Sequence, residues 1–429
     1  MSNGCRPDGF FRAESASMSE PARDHDIVVY GATGFVGALV AQHLAEHAPA
    51  GTRIALAGRS STKLEAVKER LGVDWPVLVA DAADGPALDR LASSTRVVVT
   101  TVGPYVKYGK GLVRSCAAAG TDYVDLTGEV VFTRGSIDEN DGLARRTGAR
   151  IVHSCGFDSI PSDLGVHALY EAVARDGAGE LTDTTMVVTS LKGGISGGTV
   201  DTIRTQLDMM KREPGLRRIA ASPYSLSPDR AAEPDLGRQD DMATVRGEAV
   251  DPGLRGTLAP FFMASYNTRV VRRSNALRGW AYGRQFRYRE LVSVGTSPLS
   301  PVIANGMKLG IGALFVGLLL PPTRFVLDRI MPKPGQGPSE RVRRAGHYTV
   351  DFFAATSKGE RYRARFRQKG DPGYGATAVL LGESALALAV DRDALPPSEG
   401  GVLTPATALG NALVTRLRAR GVEITAEKK

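Results

Sequence analysis

The sequence predicts an α/β protein: a doubly wound parallel sheet, then a second domain in which a sheet carries helices. Two observations carry this. Apolar runs alternate with helical patterns from Asp26 onward, and a glycine-rich turn joins the first run to the first helix, the signature of βαβ units. Strand one is Ile27 to Tyr30, followed by Gly31-Ala32-Thr33-Gly34-Phe35-Val36-Gly37 and a helix over Ala38 to Glu46. Strand two is Arg53 to Ala57 and ends in Gly58-Arg59-Ser60; Thr62 and Glu65 have capping-box spacing for a helix to Leu71, because hydroxyl and carboxylate satisfy each other's free amides. Strand three is Val77 to Ala80 with Asp81 at its tip, Asp84 is placed to cap a helix, and strand four is Val97 to Val102 before Gly103-Pro104. Further strands fall near Tyr123 to Leu126 and Ile151 to Ser154, and Ser162 caps a helix to Ala174.

The second domain opens with a strand over Met186 to Leu191, a glycine-rich turn and a helix from Val200 to Lys211. Glu213 to Gly256 is rich in Pro, Arg, Asp and Gly and predicts a long loop. Strands follow at Tyr348 to Ala354 and Arg361 to Lys369, and a helical pattern at Thr404 to Arg420. The domain division is 1–23 as a disordered tail, 24–160 as the dinucleotide-binding domain, 161–399 as the substrate and dimerisation domain, and 400–429 as a terminal helical segment.

The chain has 429 residues with 42% hydrophobic and 23% charged side chains, which excludes disordered, collagen-like and disulfide-stapled classes. A formal charge of +8 favours anionic partners. Three cysteines, Cys5, Cys116 and Cys155, form no paired framework or CxxC motif, so a reducing compartment and no metal site are expected. The first residues lack the apolar stretch of a secretion signal, and the apolar run Leu309 to Leu320 is shorter than the ~20 residues a membrane-crossing helix needs. The expected setting is cytoplasmic, with a lipid-facing surface at that run as the alternative.

Gly31, Gly34 and Gly37, set between a strand and a helix, let the backbone turn tightly and approach a pyrophosphate, while the helix start supplies free N–H groups. With Thr33, Phe35 and Val36 they form the expected dinucleotide cradle. An acid at the tip of strand two would accept from a ribose 2′-hydroxyl and repel a 2′-phosphate. Arg59 and Ser60 stand there instead and offer donors to a phosphate, so the expected cofactor is NADPH. Asp81 faces the adenine edge or serves as a turn residue.

A doubly wound sheet places its ligand crevice at the carboxyl ends of its strands. Gly103-Pro104-Tyr105, Asp125 to Glu129 and Cys155 to Pro161 gather there. Tyr105 is the candidate proton donor, Asp158 and Glu129 are candidate acids or orienters, and Cys155 is taken as a small buried residue. Ser196 sits in a GxSxG pattern, but His347 is the only histidine after it, which argues against a serine hydrolase. No tyrosine has a lysine four residues on, which excludes the short-chain dehydrogenase pair. Arg361, Arg363, Arg365, Arg367 and Lys369 alternate along one strand, and Arg269 to Arg289 is free of acids; both suggest a docking face for an acidic carrier, a nucleotide handle or anionic lipid.

On these residues, together with Gly373-Tyr374-Gly375-Ala376-Thr377 and Gly400 to Ala406, the chain resembles the saccharopine dehydrogenase-like oxidoreductases, and within them the mycobacterial trans-acting enoyl reductase branch. The resemblance implies a Rossmann domain, an inserted α/β domain with a mixed sheet, and a C-terminal segment returning to the first domain. It also implies NADPH-dependent reduction of an α,β-unsaturated acyl thioester, carried by a polyketide synthase or carrier protein in phthiocerol-type lipid synthesis, and a homodimer; nucleic acid is not an expected partner. Another reductase of the same fold, and a dinucleotide-binding scaffold or sensor without chemistry, are the alternatives.

Overall fold

In the computed structural model, which describes residues 23–193, 197–330 and 337–429, the first half builds βα units in sequence. These are β1 (His25–Tyr30), α1 (Phe35–His47), β2 (Ile54–Gly58), α2 (Ser61–Leu71), β3 (Val77–Val79), α3 (Gly85–Ser93), β4 (Thr95–Thr100), α4 (Tyr105–Tyr108), α5 (Lys110–Ala119), β5 (Asp122–Val124), α6 (Val130–Thr147) and β6 (Arg150–Val152). The linker helix α7 (Ile160–Arg175) leads to β7 (Leu181–Lys192), α8 (Gly197–Arg212), α9 (Pro214–Ala221), β8 (Val245–Arg246), β9 (Thr257–Pro260), α10 (Ala264–Leu277) and β10 (Arg287–Ser293). Then come α11 (Ser300–Leu319), α12 (Pro321–Ile330), α13 (Glu340–Arg344), β11 (His347–Thr356), β12 (Arg361–Lys369) and α14 (Gly375–Val390). The chain ends with β13 (Gly401–Leu403), α15 (Pro405–Ala408), α16 (Gly410–Ala419) and β14 (Glu423–Lys428).

The first sheet has the order β13-β6-β5-β4-β1-β2-β3, and its described pairings are all parallel. Strand order reverses between β1 and β4, where Tyr30 pairs with both Ala57 and Thr100, and that reversal opens the crevice. Because a parallel strand is buried on both faces, alternate residues feed two cores: Ile27 and Val29 pack with α1, α14 and α16, while Val28 and Tyr30 pack with α3, α5 and α6. The second sheet, β14-β12-β11-β7-β10-β9-β8, is mixed: β7 and β10 run parallel and their neighbours antiparallel. Helix α7 lies on its inner face, so close that a Cβ on Gly165 would stand 2.1 Å from the Phe352 ring.

Several expected boundaries move. Ser60, not Thr62, caps α2 by accepting from the Lys63 amide at 3.4 Å, because the preceding strand stops at Gly58. Ser159 rather than Ser162 opens α7, and the Ser162 hydroxyl turns to the Met186 sulfur. The expected loop after Glu213 contains α9, whose Pro214 suits a first helical position. The apolar run at Leu309 begins nine residues earlier as a helix, since Pro301 fits its first turn. The return to the first domain begins at α14, which packs on α1 before residue 400, and continues in β13 beside β6; β14 then crosses to the second sheet beside β12. The expected tail and Ser196 lie outside the described residues.

One buried carboxylate ties this return to the first helix. Glu383 on α14 lies 2.9 Å from His43 Nε2, accepts from Arg416 Nη1 at 3.0 Å and has Arg420 Nε at 3.2 Å. Burial pushes the Glu383 pKa up, but the bonds and charges of His43 and Arg416 outweigh it and hold the pKa below its ordinary value. Glu383→Ala removes the buried acceptor shared by His43, Arg416 and Arg420, although Arg416 keeps Asp391, and should lower stability by about 2–3 kcal/mol at neutral pH. Because the folded-state pKa is depressed, the contribution is present above the ordinary glutamate range and lost as pH falls through the lowered value, so unfolding curves of variant and wild type should converge in acid.

Candidate active site

The glycine turn leaves β1 at the strand reversal. Gly31 has φ +90°, and a Cβ there would meet Val102 Cγ2 at 2.6 Å. A Cβ on Gly37 would stand 2.1 Å from the Gly31 carbonyl oxygen, whereas Gly34 faces the same oxygen at 3.3 Å. Thus the first and third glycines are demanded by the packing of the turn on itself and on the end of β4. Gly34 precedes α1 without a side-chain cap, leaving the first helical amides, from Phe35 to Gly37, pointing out for an anion. Thr33 and Gly34 are exposed, and Gly103 is exposed across the crevice beside buried Pro104. This is a cradle that side chains would fill, and it suits a pyrophosphate.

The tips of β2 and β3 fit the adenosine end. Arg59 is exposed and has no ion pair with the described residues. Asp81 is exposed, and its Oδ1 accepts the Ala83 amide at 2.9 Å, so it shapes its own turn. Both stand near the Tyr30 hydroxyl, whose pKa is pushed up to about 12 by burial and by Asp81, against the pull of Arg59. With no acid at the end of β2, nothing there repels a 2′-phosphate.

At the ends of β4, β5 and β6, polar side chains converge. Glu129 is buried and accepts the amides of Tyr105 and Val106, each at 2.8 Å, and the Thr202 hydroxyl at 3.3 Å. Burial lifts its pKa to about 7 against the pull of these bonds. Asp125 accepts the amides of Thr127 and Ser154 and lies 2.7 Å from His153 Nδ1. The Tyr105 hydroxyl donates to the Thr100 carbonyl at 3.2 Å and accepts the Leu126 amide at 3.1 Å; burial drives its pKa well above the ordinary tyrosine value. Tyr105 therefore bridges the ends of two strands, and its proton is already given to backbone.

Asp158 differs from all of these. It is half-buried in the loop after β6 and makes no hydrogen bond with the described residues. Burial, then the Asp125 charge, raises its pKa to about 7. Its own charge acts on both Tyr105 and Tyr266, which places the carboxyl in the same cluster. Cys155 is buried, with its thiol pKa pushed up by burial, as a structural residue would be.

Sequence reading missed the wall that the second domain supplies. Tyr266 on α10 bonds the Thr133 and Ser154 hydroxyls, and Ser154 itself holds a left-handed φ of 66°. Ser159 donates to Asn267, which donates to Glu290 at 2.9 Å. Phe35 is covered by a distant segment: Tyr374 meets its ring edge at 5.0 Å and the Arg343 guanidinium lies 5.2 Å over it. The signal available in sequence was the polar character of 266–275, and it was misassigned. Arg269, Arg272 and Arg273 are buried and donate to Asp241 and to backbone carbonyls, so the α10 part of the acid-free stretch is scaffold, while Arg284 and Arg287 beyond it are exposed. On β12, Arg363 and Arg365 both bind Asp351, which removes much of the expected bare basic stripe. A separate cleft of about 450 Å³ lies on the second sheet, lined by Thr185, Asp251, Arg289 and Arg361; these side chains pair with one another, and no first-sheet residue lines it.

The cradle makes a direct expectation. Arg59→Ala should weaken NADPH binding about ten- to a hundredfold, the worth of a charge-assisted bond, and leave NADH binding nearly unchanged; Gly37→Ala should abolish both. Fluorescence titration of the purified variants reads this.

Comparison with known proteins agrees with the site. Residues 27–151 match the saccharopine dehydrogenase NADP binding domain. The Mycobacterium tuberculosis relative Rv2449c is 54% identical over 417 residues, covering 95% of this chain and 98% of its own. The trans-acting enoyl reductase of Mycobacterium ulcerans is 49% identical over 424 residues, covering 96% and 100%. Among solved structures, apo saccharopine dehydrogenase (L-Glu forming) from Saccharomyces cerevisiae shares the fold at a TM-score of 0.53 and 13% identity, over 94% of this chain and 100% of that one. The cradle, the acid-free strand tip and these likenesses together establish that the chain belongs to the trans-acting enoyl reductase family, as an oxidoreductase with a saccharopine dehydrogenase NADP-binding domain and NADPH as its cofactor.

Proposed function

We propose that this enzyme reduces the double bond of an α,β-unsaturated acyl thioester presented by a polyketide synthase, with Asp158 as the proton donor. The enoyl reductase names of its relatives support the reaction class, and the free carboxyl of Asp158 supports the assignment of the acid. NADPH, when bound, supplies the hydride that adds to the β-carbon.

The protein's part is to hold, orient and protonate. Gly31, Gly34 and Gly37 with the start of α1 take the pyrophosphate, and Arg59 with Ser60 takes the 2′-phosphate. Tyr105 and Glu129 fix the segment after Gly103-Pro104 by bonds to backbone, and so act as positioning residues. Asp158 has no competing partner among the described residues, and at a pKa of about 7 it holds a proton near neutrality that it can give to the α-carbon, completing addition of H⁻ and H⁺ across the double bond. The competing acid, Glu129, is saturated by amide donors.

The first test is NADPH oxidation with an enoyl pantetheine thioester, together with identification of the saturated product; tight NADPH binding without oxidation of any enoyl thioester would overturn the reading. Asp158→Asn should lower turnover about 10²–10⁴-fold with NADPH affinity intact. Since the protonated form is the active one, wild-type turnover should be flat in mild acid and decline as pH rises through about 7, and Asp158→Asn should lose that decline. Tyr105→Phe keeping the same pH profile would agree with a positioning role.

A further inference from the structure

We propose that the hairpin of α11 and α12 seats in the surface of an anionic lipid bilayer, its apolar side chains in the acyl region and both ends of α11 held on the protein side. The seating is read by vesicle binding and stands apart from the reduction proposed above. Helix α11 has twenty residues, about 30 Å of length, with Lys308 its one charged side chain. Buried positions are Ser300, Ala304 and Leu318, while Val302 is 69% and Leu309 73% exposed. Ile303, Phe315, Val316 and Leu319 are exposed as well, and at about 100° per residue these positions spread over about two thirds of the helix circumference, leaving one stripe for the buried Ser300, Ala304 and Leu318. Phe325 and Val326 extend the apolar surface onto α12.

Such a helix in a soluble protein is ordinarily a core helix, but this one is exposed; an N-terminal signal is excluded by its place at residue 300. A protein partner covers one stripe of a helix, whereas acyl chains surround it, and apolar exposure on several sides fits lipid. Crossing the bilayer is excluded by the two anchors. Ser300 donates to the Val294 carbonyl at 3.2 Å, and Arg324 on α12 binds both oxygens of Asp208 on α8 at 2.6 and 3.0 Å. The start of α11 and the turn at its end are thus both held to one body, so α11 lies in the interface and does not cross it. Charge specifies the lipid: between Ser300 and Ala345 there are seven Lys or Arg against Asp328 and Glu340, and Lys308, Arg329, Arg341 and Arg344 are exposed, suited to anionic headgroups.

Flotation of the full-length chain with phosphatidylglycerol–phosphatidylcholine vesicles, and with phosphatidylcholine alone, tests this. The expected result is co-flotation with the anionic vesicles that weakens with salt. Leu309→Glu with Val316→Glu should reduce it about tenfold or more, with unchanged NADPH affinity reporting an intact fold; Arg341→Glu with Arg344→Glu should reduce binding to the anionic vesicles selectively. Wild-type protein that stays in the aqueous fraction with both vesicles overturns the proposal, as does a Leu309/Val316 variant that floats like wild type. Equal binding to both vesicles overturns the headgroup part. A variant that instead converts a dimer to a monomer, with no flotation of wild type, assigns the surface to a second copy of the chain.

Discussion

Three carboxylates share the carboxyl end of the first sheet, and the site depends on their being unequal. A charge in a low-dielectric crevice is costly unless hydrogen bonds replace water. Asp125 and Glu129 receive that replacement from backbone amides, and these bonds also hold the segments after β4, β5 and β6 in place. Asp158 receives none from the described residues, and the Asp125 charge beside it adds to the cost of ionising. One fixed network therefore shapes the crevice: burial raises both Glu129 and Asp158 to about 7, and of the two only Glu129 is engaged by backbone amides, which leaves the Asp158 carboxyl as the one open to a substrate.

The second domain contributes to the same end in a way its composition conceals. Helix α10 is short of apolar side chains, yet most of it is buried. Its arginines replace a hydrophobic interface by saturating carbonyls at Pro223, Leu226 and Tyr288, a multi-donor function that guanidinium serves well and ammonium does not. Fixed by those bonds, α10 projects Tyr266 and Asn267 toward Ser154 and Ser159, joining the two sheets at the crevice floor by hydrogen bonds whose geometry is directional. Such a joint specifies one relative placement of the domains better than an apolar contact would.

What the sequence disclosed follows the range of the interactions. The strand–turn–helix around Gly31 and the cation at Arg59 are local, set by the chain's own sterics over a few residues, and they were legible. The parallel, doubly wound character of the first sheet followed from its short βα connections. The crevice network was legible only as a clustering of polar residues, because the assignment of Tyr105 to backbone, and of Asp158 to none, is decided by partners up to 30 residues away. The role of α10 was misread for the same reason in stronger form: a run of arginines has the same appearance on a surface and in a core, and only the carbonyls contributed by distant loops distinguish them. The apolar helix was underestimated because Asn305 and Lys308 interrupt the run without interrupting the helix.

Helix α8 connects the crevice to the apolar hairpin. Thr202 on that helix donates to Glu129 at the crevice, and Asp208, six residues later, binds Arg324 of the hairpin, a separation of about 9 Å along one helix. A rigid element of that length leaves little room for the two surfaces to move independently. The segment beyond the hairpin brings Arg343 over Phe35 at the start of the cofactor helix, so the chain that follows the hairpin returns to the cofactor cradle. For a substrate with a long aliphatic chain this arrangement has a physical advantage: the thioester can enter a polar crevice lined by carboxylates and amides while the hydrocarbon stays against the apolar side chains held at the other end of the same helix, so that less of the acyl chain is exposed to water.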